Sequence, residues 1–402
     1  MDRRGFIRLG TGLAVAGVSS WHLPARAATK PVWLSFGLNG PAEGNSRFPL
    51  TLAMTQKAAA KGQDFQRVVS QTIETQLRKE GDFVDFSDKV EIHDGIMLGA
   101  MLDYENVLST RLGTASFLVL HLVGHGTVLR FDRDRGWKLI ASFPFPVTLL
   151  RESNGGNVKT EAAGYLQEAY TDPKNSFATA FARTAKQMAS RWSENGSRFN
   201  VRVMSSLIHP DVQTKLRDWA IATNINSVWL GHLASAAACE GLAIPVVPFV
   251  ENQALGKFTY KFSERLTAQN VRLPEEQDID LRLHVTLRNM VRDVKYRKQL
   301  DRWEVSRIVV FDIEALDVDN KQILKLRMGY QDEQPDVVAR QDEVVPVRDA
   351  HFFDMAIYRG LAGLFSALDR QDMDALAKLF VKPDAEQKKQ IENFRRIYRR
   401  AV

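Results

Sequence analysis

The sequence has only one cysteine and no long apolar run. Among 402 residues the single cysteine is Cys239, so no internal disulfide can form and stability must come from packing. Cys239 follows a run of small residues and has no histidine or cation beside it, which predicts a buried structural thiol rather than a reactive one. No apolar run approaches the roughly 20 residues that a membrane-spanning helix needs.

Recognisable catalytic motifs are missing as well. The sequence has no G-x-S-x-G nucleophile elbow, no phosphate-binding loop and no dinucleotide fingerprint, and we predict no cofactor. His121 and His125 have the spacing of zinc ligands on a helix, but their Val- and Leu-rich surroundings predict a strand. On a strand, residues four apart are about 13 Å apart, too far for one metal ion. We therefore predict a packed His121 and a turn or bulge at His125.

Excess charge is also small. The net charge is +6, of which the first 27 residues contribute +3. The remaining +3 is too little to predict a nucleic-acid partner, and we expect none. The chain is 45% hydrophobic and 25% charged, values typical of a globular protein. Its length is sufficient for two or three domains.

The first 27 residues have the layout of a cleavable export signal. A basic start contains Arg3 and Arg4, a mildly apolar centre follows, and Ala25 and Ala27 form an A-x-A cleavage site. The arginine pair shortly before Phe6 resembles the twin-arginine export signal, which implies folding before export. We expect a periplasmic protein without a lipid anchor, because no cysteine stands at the cleavage site. An uncleaved amphipathic anchor is the alternative, which the weakly apolar centre disfavours.

The rest of the chain predicts an α+β fold with two similar lobes. Each lobe begins with a short apolar strand, continues through an amphipathic helix and ends in a hairpin with a charged turn. A duplicated module is one interpretation of this order. The predicted divisions are a first lobe at 28–152, a helix-rich middle segment at 153–243, a second lobe at 244–346 and C-terminal helices at 347–402.

Hydrophobic periodicity places the individual elements. Predicted strands are 32–36, 49–54, 83–86, 117–131, 137–143, 200–207, 244–249, 280–287, 306–316, 322–330 and 344–347. Predicted helices are 65–79, 177–192, 211–222, 229–240, 255–268, 350–368, 372–380 and 386–400. Pro144 and Pro146 are expected to end the strand before them, and 288–302 is predicted to be a long loop. Asp317 begins a calcium-loop-like run whose later positions do not match, so a hairpin turn is predicted.

Cations concentrate in the second lobe. They form a possible binding patch of Arg282, His284, Arg288, Arg292, Lys295, Arg297 and Lys298. An anionic polymer or a membrane could bind it, and a solvated sheet face with an adjoining loop is the alternative. The C-terminal helix is basic with a narrow apolar stripe, so a weak membrane contact through it is a further possibility.

The start of the second lobe resembles a cell-envelope module. Val246, Val247, Pro248 and Phe249 precede a predicted helix and an antiparallel sheet. This order is similar to the amino-terminal domain of the Tol translocation protein and to the related curli-secretion and penicillin-binding-protein-activator lipoproteins. Residues 307–313 and 321–324 resemble the closing hairpin of that domain. The sequence departs from the pattern in lacking a lipid-bearing cysteine and in the predicted loop 288–302. The resemblance implies a non-catalytic part that binds envelope components.

These observations favour an exported periplasmic accessory protein. We expect it to bind other envelope proteins or an anionic polymer, without catalysis. One alternative is an exported enzyme, for example a hydrolase, whose site is assembled only in three dimensions. The other is a small-ligand binding protein with a cleft between its lobes. The sequence does not predict the oligomeric state.

Overall fold

The computed structural model of the chain combines helices and strands, which confirms the α+β class. It describes residues 30–39, 48–86, 96–112, 115–132, 136–154, 158–191, 199–249, 257–262, 269–332, 336–339, 345–379 and 383–399. The predicted signal, including Arg3, Arg4, Phe6, Ala25 and Ala27, lies outside these ranges. Within them, no helix is both long and apolar enough to cross a membrane.

Strands and helices alternate irregularly along the chain. The strands are β1 Val32–Asn39, β2 Ile96–Leu112, β3 Ala115–Asp132, β4 Gly136–Asn154, β5 Val201–Ile208, β6 Val246–Val247, β7 Lys257–Phe262, β8 Gln269–Arg272, β9 Leu281–Arg297, β10 Arg302–Asp317, β11 Gln322–Gln331 and β12 Asp336–Val338. The helices are α1 Pro49–Ala59, α2 Phe65–Glu80, α3 Val158–Thr171, α4 Phe177–Met188, α5 Pro210–Asp218, α6 Ser227–Leu242, α7 Pro346–Arg370, α8 Met373–Lys378 and α9 Ala385–Arg399.

The first sheet is built around three long strands. β2, β3 and β4 form an antiparallel meander, and β1 pairs in parallel with β2. β7 and β8 form a hairpin that joins both ends of this set, because β7 pairs with β1 and β8 pairs with β4. The strand order is therefore β1-β2-β3-β4-β8-β7, with β7 returning to β1. Part of the predicted second lobe thus completes the sheet of the first.

The second sheet has the order β11-β10-β9-β5-β6, and β12 also pairs with β10. β9, β10 and β11 form an antiparallel meander, as the sequence predicts, whereas β5 runs parallel to both β6 and β9. Alternation along β9 buries Leu281, Leu283, Val285 and Leu287 in the core. The residues between them point to the opposite face, which we call the outer face of the second sheet.

Two buried helices connect the sheets. α6 contacts β4 and β5, while α7 contacts β3 and β10. The helices lie close together because α6 is made largely of small residues: a Cβ added at Gly241 would be 2.6 Å from the Ala362 carbonyl oxygen. A single apolar cluster includes side chains of both sheets and of these helices. Cys239 of α6 is fully buried, and burial raises the pKa of its thiol well above the usual range, which confirms the predicted structural thiol.

Several predicted elements are wrong. Residues 49–54 belong to helix α1, because Pro49 starts the helix and the Glu105 carboxylate accepts the N–H groups of Leu50 at 2.6 Å and Thr51 at 3.0 Å. The predicted helix 255–268 includes strand β7, whose sequence alternates polar and aromatic residues. Residues 83–86 contribute only one isolated bridge, Val32 to Asp85.

Other errors concern where strands end. β4 continues through Pro144 and Pro146. Among the described residues, its second edge pairs with β8 at Trp137 and Lys138 alone, so the two prolines need no N–H group for pairing on that edge. The predicted loop 288–302 is mostly strand, since β9 continues to Arg297 and β10 begins at Arg302. The last predicted strand, 344–347, includes the first residues of α7, and its position 344 lies outside the described ranges.

Candidate functional site

A groove crosses the outer face of the second sheet. Its volume is about 490 Å³, and it is lined by His284, Thr286, Asp312, Ile313, Glu314, Lys325, Leu326, Arg327 and Gln387. Register explains how these residues meet. His284 is opposite Glu314, which is opposite Lys325, while Thr286, Asp312 and Arg327 form the next row. Side chains from three neighbouring strands and from α9 therefore converge on one surface.

Ser205 and His284 form a close polar pair beside the groove. A register shift in β5 between Val203 and Ser205 places Ser205 opposite His284, and the serine Oγ lies 2.7 Å from His284 Nδ1. Partial burial lowers the pKa of His284, Glu314 opposes that effect, and Arg282 adds to it. The imidazole is therefore mainly neutral at pH 7, where its Nδ1 can accept the serine proton.

Charges of both signs offset one another along the groove. Arg327 makes two hydrogen bonds to the Asp312 carboxylate, at 2.6 and 3.0 Å. Glu314 faces His284 on one side and Lys325 on the other. Because acids and bases alternate between strands, the groove has no large excess of either charge.

Helix α9 covers the edge of the second sheet at β11. The N–H of Lys325 donates to Gln390 Oε1 at 3.0 Å, and the Lys325 carbonyl accepts from Gln387 at 3.4 Å. The apolar stripe of this helix is buried at Ile391 and Phe394. A covered edge cannot add another strand at this position. The outer face, rather than this edge, is therefore the accessible surface.

The residues of the predicted basic patch lie in different surroundings. His284 lines the groove, whereas Arg282 is only 5% exposed and donates to the side-chain oxygen of Asn320. Arg292 points away from the outer face, where it binds Asp349 at 2.6 Å and lies over the Trp219 ring at 5.3 Å. A register shift in β9 at Arg288 lies between His284 and Arg292, so the two side chains point to opposite faces of the sheet.

Of the remaining patch residues, Arg288 lies at the register shift, whereas the others lie toward the far end of the β9–β10 hairpin. Lys295 forms an ion pair with Asp293, and Arg297 binds Glu304 through two contacts of 2.6 and 2.8 Å. Arg288 and Lys298 are exposed. The seven predicted residues therefore do not form one continuous cationic surface.

His121 belongs to a buried network that the sequence does not indicate. Its Nδ1 lies 2.7 Å from the Asp354 carboxylate, which also accepts hydrogen bonds from the Thr148 hydroxyl at 3.0 Å and from the Trp229 indole N–H. Packing of His121 is confirmed, since it is fully buried. Its partner Asp354 is 233 positions away in the sequence, and no local signal connects the two.

His125 lies in regular strand, so the predicted turn or bulge at this residue is wrong. It pairs with Met101 of β2, and the bulge is on that strand, at Asp103. The extra residue lets the Asp103 carboxylate bind His125 Nδ1, while Asn39 donates to the same carboxylate at 2.5 Å. His121 and His125 therefore have different carboxylate partners. Among the residues described, no group of three or more His, Cys, Asp or Glu side chains could hold a metal ion.

A third buried network connects the start of α7 to the second sheet. Arg307 is 2% exposed and binds Asp349 at 2.8 Å and Asp336 at 3.3 Å. Arg292 and Arg348 bind the same two carboxylates, so three guanidinium groups share two carboxylates. Because Arg307, Asp349 and Asp336 are buried and each has charged partners within the protein, the arrangement orients α7 and β12.

Comparisons with known proteins add little. No protein-family model matches the chain, and no curated protein matches it. One similar solved structure is a minor lipoprotein from Acinetobacter baumannii, with 15% sequence identity, covering 40% of this chain and 95% of that chain at a TM-score of 0.21. A TM-score this low carries no argument about fold or function.

Proposed function

We propose that the protein is exported and acts by binding another envelope protein through the outer face of its second sheet. The observation that carries this proposal is the composition of that face. Leu207 is 58% exposed and Val291 is 37% exposed, and both lie on the same face as the groove. Apolar contacts beside a charged, hydrogen-bonding groove are the composition of a protein interface.

An anionic polymer fits the same surface less well. Binding a polyanion requires several cations that are free to contact it. In the predicted patch, Arg282, Arg292 and Arg297 already contact partners within the protein. Asp312 and Glu314 in the groove would repel a polyanion. The mixture of charges instead favours a partner that also carries both signs.

Site-specific photo-crosslinking in cells tests this proposal. A photoreactive residue at position 207 or 291 is expected to form adducts with one and the same envelope protein. Position 68, on the exposed side of α2, is a matched control because Val68 is 42% exposed. Adduct formation at all three positions alike would contradict a specific interface.

The captured partner must then bind in purified form. Leu207→Asp is expected to weaken the affinity at least tenfold, about 1.4 kcal/mol, whereas Leu207→Met retains the apolar contact and should stay within threefold of wild type. Since Leu207 is largely exposed, neither change should lower the thermal midpoint of unfolding. Wild-type affinity in Leu207→Asp would refute this face as the binding surface.

Export is tested separately. The double substitution Arg3→Lys and Arg4→Lys is expected to leave an uncleaved precursor in the cytoplasm, because it removes the arginine pair by which a twin-arginine signal is recognised. Fractionation and immunoblotting measure the location. Normal export of the double variant would contradict a twin-arginine signal and leave the binding proposal intact.

The Ser205–His284 pair supports a second candidate function, an exported hydrolase. A serine hydroxyl 2.7 Å from a mainly neutral imidazole has the geometry of a nucleophile and its base. A fluorophosphonate probe should then label the wild-type protein and not Ser205→Ala. Absence of labelling in the folded wild-type protein would leave the pair as a polar contact of the binding face.

A further inference from the structure

The β9–β10 hairpin extends beyond the rest of the second sheet. Pairing of β5 with β9 ends at Leu287, and pairing of β11 with β10 ends at Ile308. Beyond these points β9 and β10 pair with each other, and β12 adds three residues beside β10. We call residues 291–305 the hairpin arm. At about 3.3 Å per residue, the seven residues from 291 to 297 span roughly 20 Å.

The end of the arm exposes apolar and aromatic groups. Leu300, in the turn, is 65% exposed and is the most exposed large apolar side chain among the described residues. Tyr296 and Trp303 are paired on neighbouring strands close to this turn. Tyr296 is 45% exposed, and its ring centroid is 5.2 Å from that of half-buried Trp303. A leucine in front of a tyrosine–tryptophan pair is an unusual group to leave in water.

Cations flank this apolar end. Lys298 and Arg302 are exposed on either side of Leu300. Neither contacts a carboxylate among the residues that the structure describes. Across 293–304 the arm carries four cations and three acids. Two of those acids, Asp293 and Glu304, bind Lys295 and Arg297 farther back. The third acid, Asp301, directly follows Leu300, so the tip carries Lys298 and Arg302 against one carboxylate and has an excess of one positive charge.

Contacts within the arm hold this arrangement in place. The Tyr296 hydroxyl donates to Asp301 at 2.6 Å across the turn. Arg297 binds Glu304 through two hydrogen bonds between the strands. These hydrogen bonds join the two strands at the turn and again next to it, so they hold the apolar side chains in one arrangement. Binding therefore requires little further loss of conformational entropy.

We propose that the tip of the hairpin arm inserts into the headgroup region of an anionic lipid surface. In this arrangement Leu300 reaches the acyl boundary. Tyr296 and Trp303 occupy the interface, where aromatic rings with a polar edge are favoured. Lys298 and Arg302 extend toward lipid phosphates while their alkyl stems remain near the apolar tip.

Lipid fits this tip better than a protein partner does. A stable protein interface needs about 800 Å² on each side, whereas the arm offers a narrow end with few exposed apolar residues. Insertion into lipid requires only a tip. The contact is distinct from the binding face described above, and it does not use α9, whose apolar stripe is buried.

Fluorescence at the tip tests the proposal in the full chain. Cys239 is the sole cysteine and is fully buried, so a cysteine introduced as Gln299→Cys can be labelled selectively with an environment-sensitive dye. On vesicles with about one-third phosphatidylglycerol, the dye emission should shift to the blue and become protected from an aqueous quencher. The dye at Val68→Cys, on α2, should show neither effect.

Further variants separate the two contributions. Leu300→Asp should abolish the shift, and Leu300→Met should retain it. Lys298→Glu with Arg302→Glu should lower the apparent partition to anionic vesicles at least fivefold. Circular dichroism and the unfolding midpoint should remain at wild-type values in each variant, because the three side chains are exposed.

Three results would overturn the proposal. The first is no shift at position 299 on any vesicle, which is the result expected if the arm binds a protein. The second is an equal shift on purely zwitterionic vesicles, which would exclude selection for anionic lipid. The third is a shift that Leu300→Asp leaves unchanged, which would assign vesicle binding to another part of the chain.

Discussion

Removing the Asp354 carboxylate should destabilise the protein more than any exposed ion pair. Asp354 is 2% exposed and accepts hydrogen bonds from three other elements, through His121, Thr148 and Trp229. In Asp354→Ala, the indole N–H of Trp229 and the Nδ1 of His121 lose their partner in a position that water does not reach. The substitution thus leaves polar groups buried without compensation.

The expected cost follows from that count. Each buried group left unsatisfied costs about 1–3 kcal/mol, and Asp354→Ala leaves two such groups, the Trp229 indole N–H and the His121 ring nitrogen. We therefore expect Asp354→Ala to lower the free energy of unfolding by about 3–5 kcal/mol. Asp354→Asn keeps one acceptor oxygen and should lose about half as much.

Urea unfolding followed by tryptophan fluorescence measures this difference. The matched control is Asp312→Ala, which removes a carboxylate bound to exposed Arg327 on the outer face. Such exposed pairs contribute about 0–1 kcal/mol. If the free energies of unfolding of Asp354→Ala and Asp312→Ala agree within about 1 kcal/mol at an unchanged denaturant slope, the carboxylate does not hold the first sheet, α6 and α7 together as described.

Three other outcomes follow from single residues. Burial lowers the pKa of His351 from 6.5 to about 4. The unfolded chain therefore takes up a proton at a higher pH than the folded protein does, and the free energy of unfolding falls as the pH drops from about 6.5 to 4. His351→Gln should flatten that part of the curve of stability against pH, and an unchanged slope would contradict this expectation. Gly126→Ala should lower the free energy of unfolding measured in urea by about 1–3 kcal/mol, because the new Cβ would be 1.8 Å from the buried Phe143 ring. Gly164 lies on a helix with open space around it, so Gly164→Ala should raise the free energy of unfolding by up to about 1 kcal/mol. Cys239 should react with a thiol reagent only as fast as the protein unfolds, and rapid labelling of the native protein would show an accessible thiol.

The elements that the sequence predicts correctly have strong, self-contained periodicity. The predicted helix 350–368 lies within α7, and the predicted strand 117–131 lies within β3. Their apolar residues recur with one clear period because one side of each faces the core along its whole length. The turn at Asp317 is equally local: its carboxylate accepts the N–H groups of Asp319 and Lys321 at 3.0 and 2.9 Å, which confirms the predicted turn.

Elements with weak or mixed patterns were predicted less well. The arm section of β9 alternates charged residues with only a few apolar ones, because one strand edge and much of both faces contact water. It therefore has the composition of a loop. β7 is short, and its alternation covers only six residues, so its pairing with β1 and β8 decides that it is a strand. Its state depends on strands far away in the sequence.

The sequence by itself determined the α+β composition, the buried thiol, the absence of an internal disulfide and the elements with clear periodicity, such as α7 and β3, since each depends on residue type or on spacing within one segment. It did not predict strand β2 or helix α3. Only the tertiary structure decided that β7 and β8 join the first sheet, that His121 meets Asp354, and that Leu207 stands beside a groove of mixed charge. The physical reason is that strand pairing and buried hydrogen bonds join segments whose order in the chain says nothing about their distance in space. The predicted basic patch is divided for the same reason: strand register and the shift at Arg288 decide on which face of the sheet each cation lies.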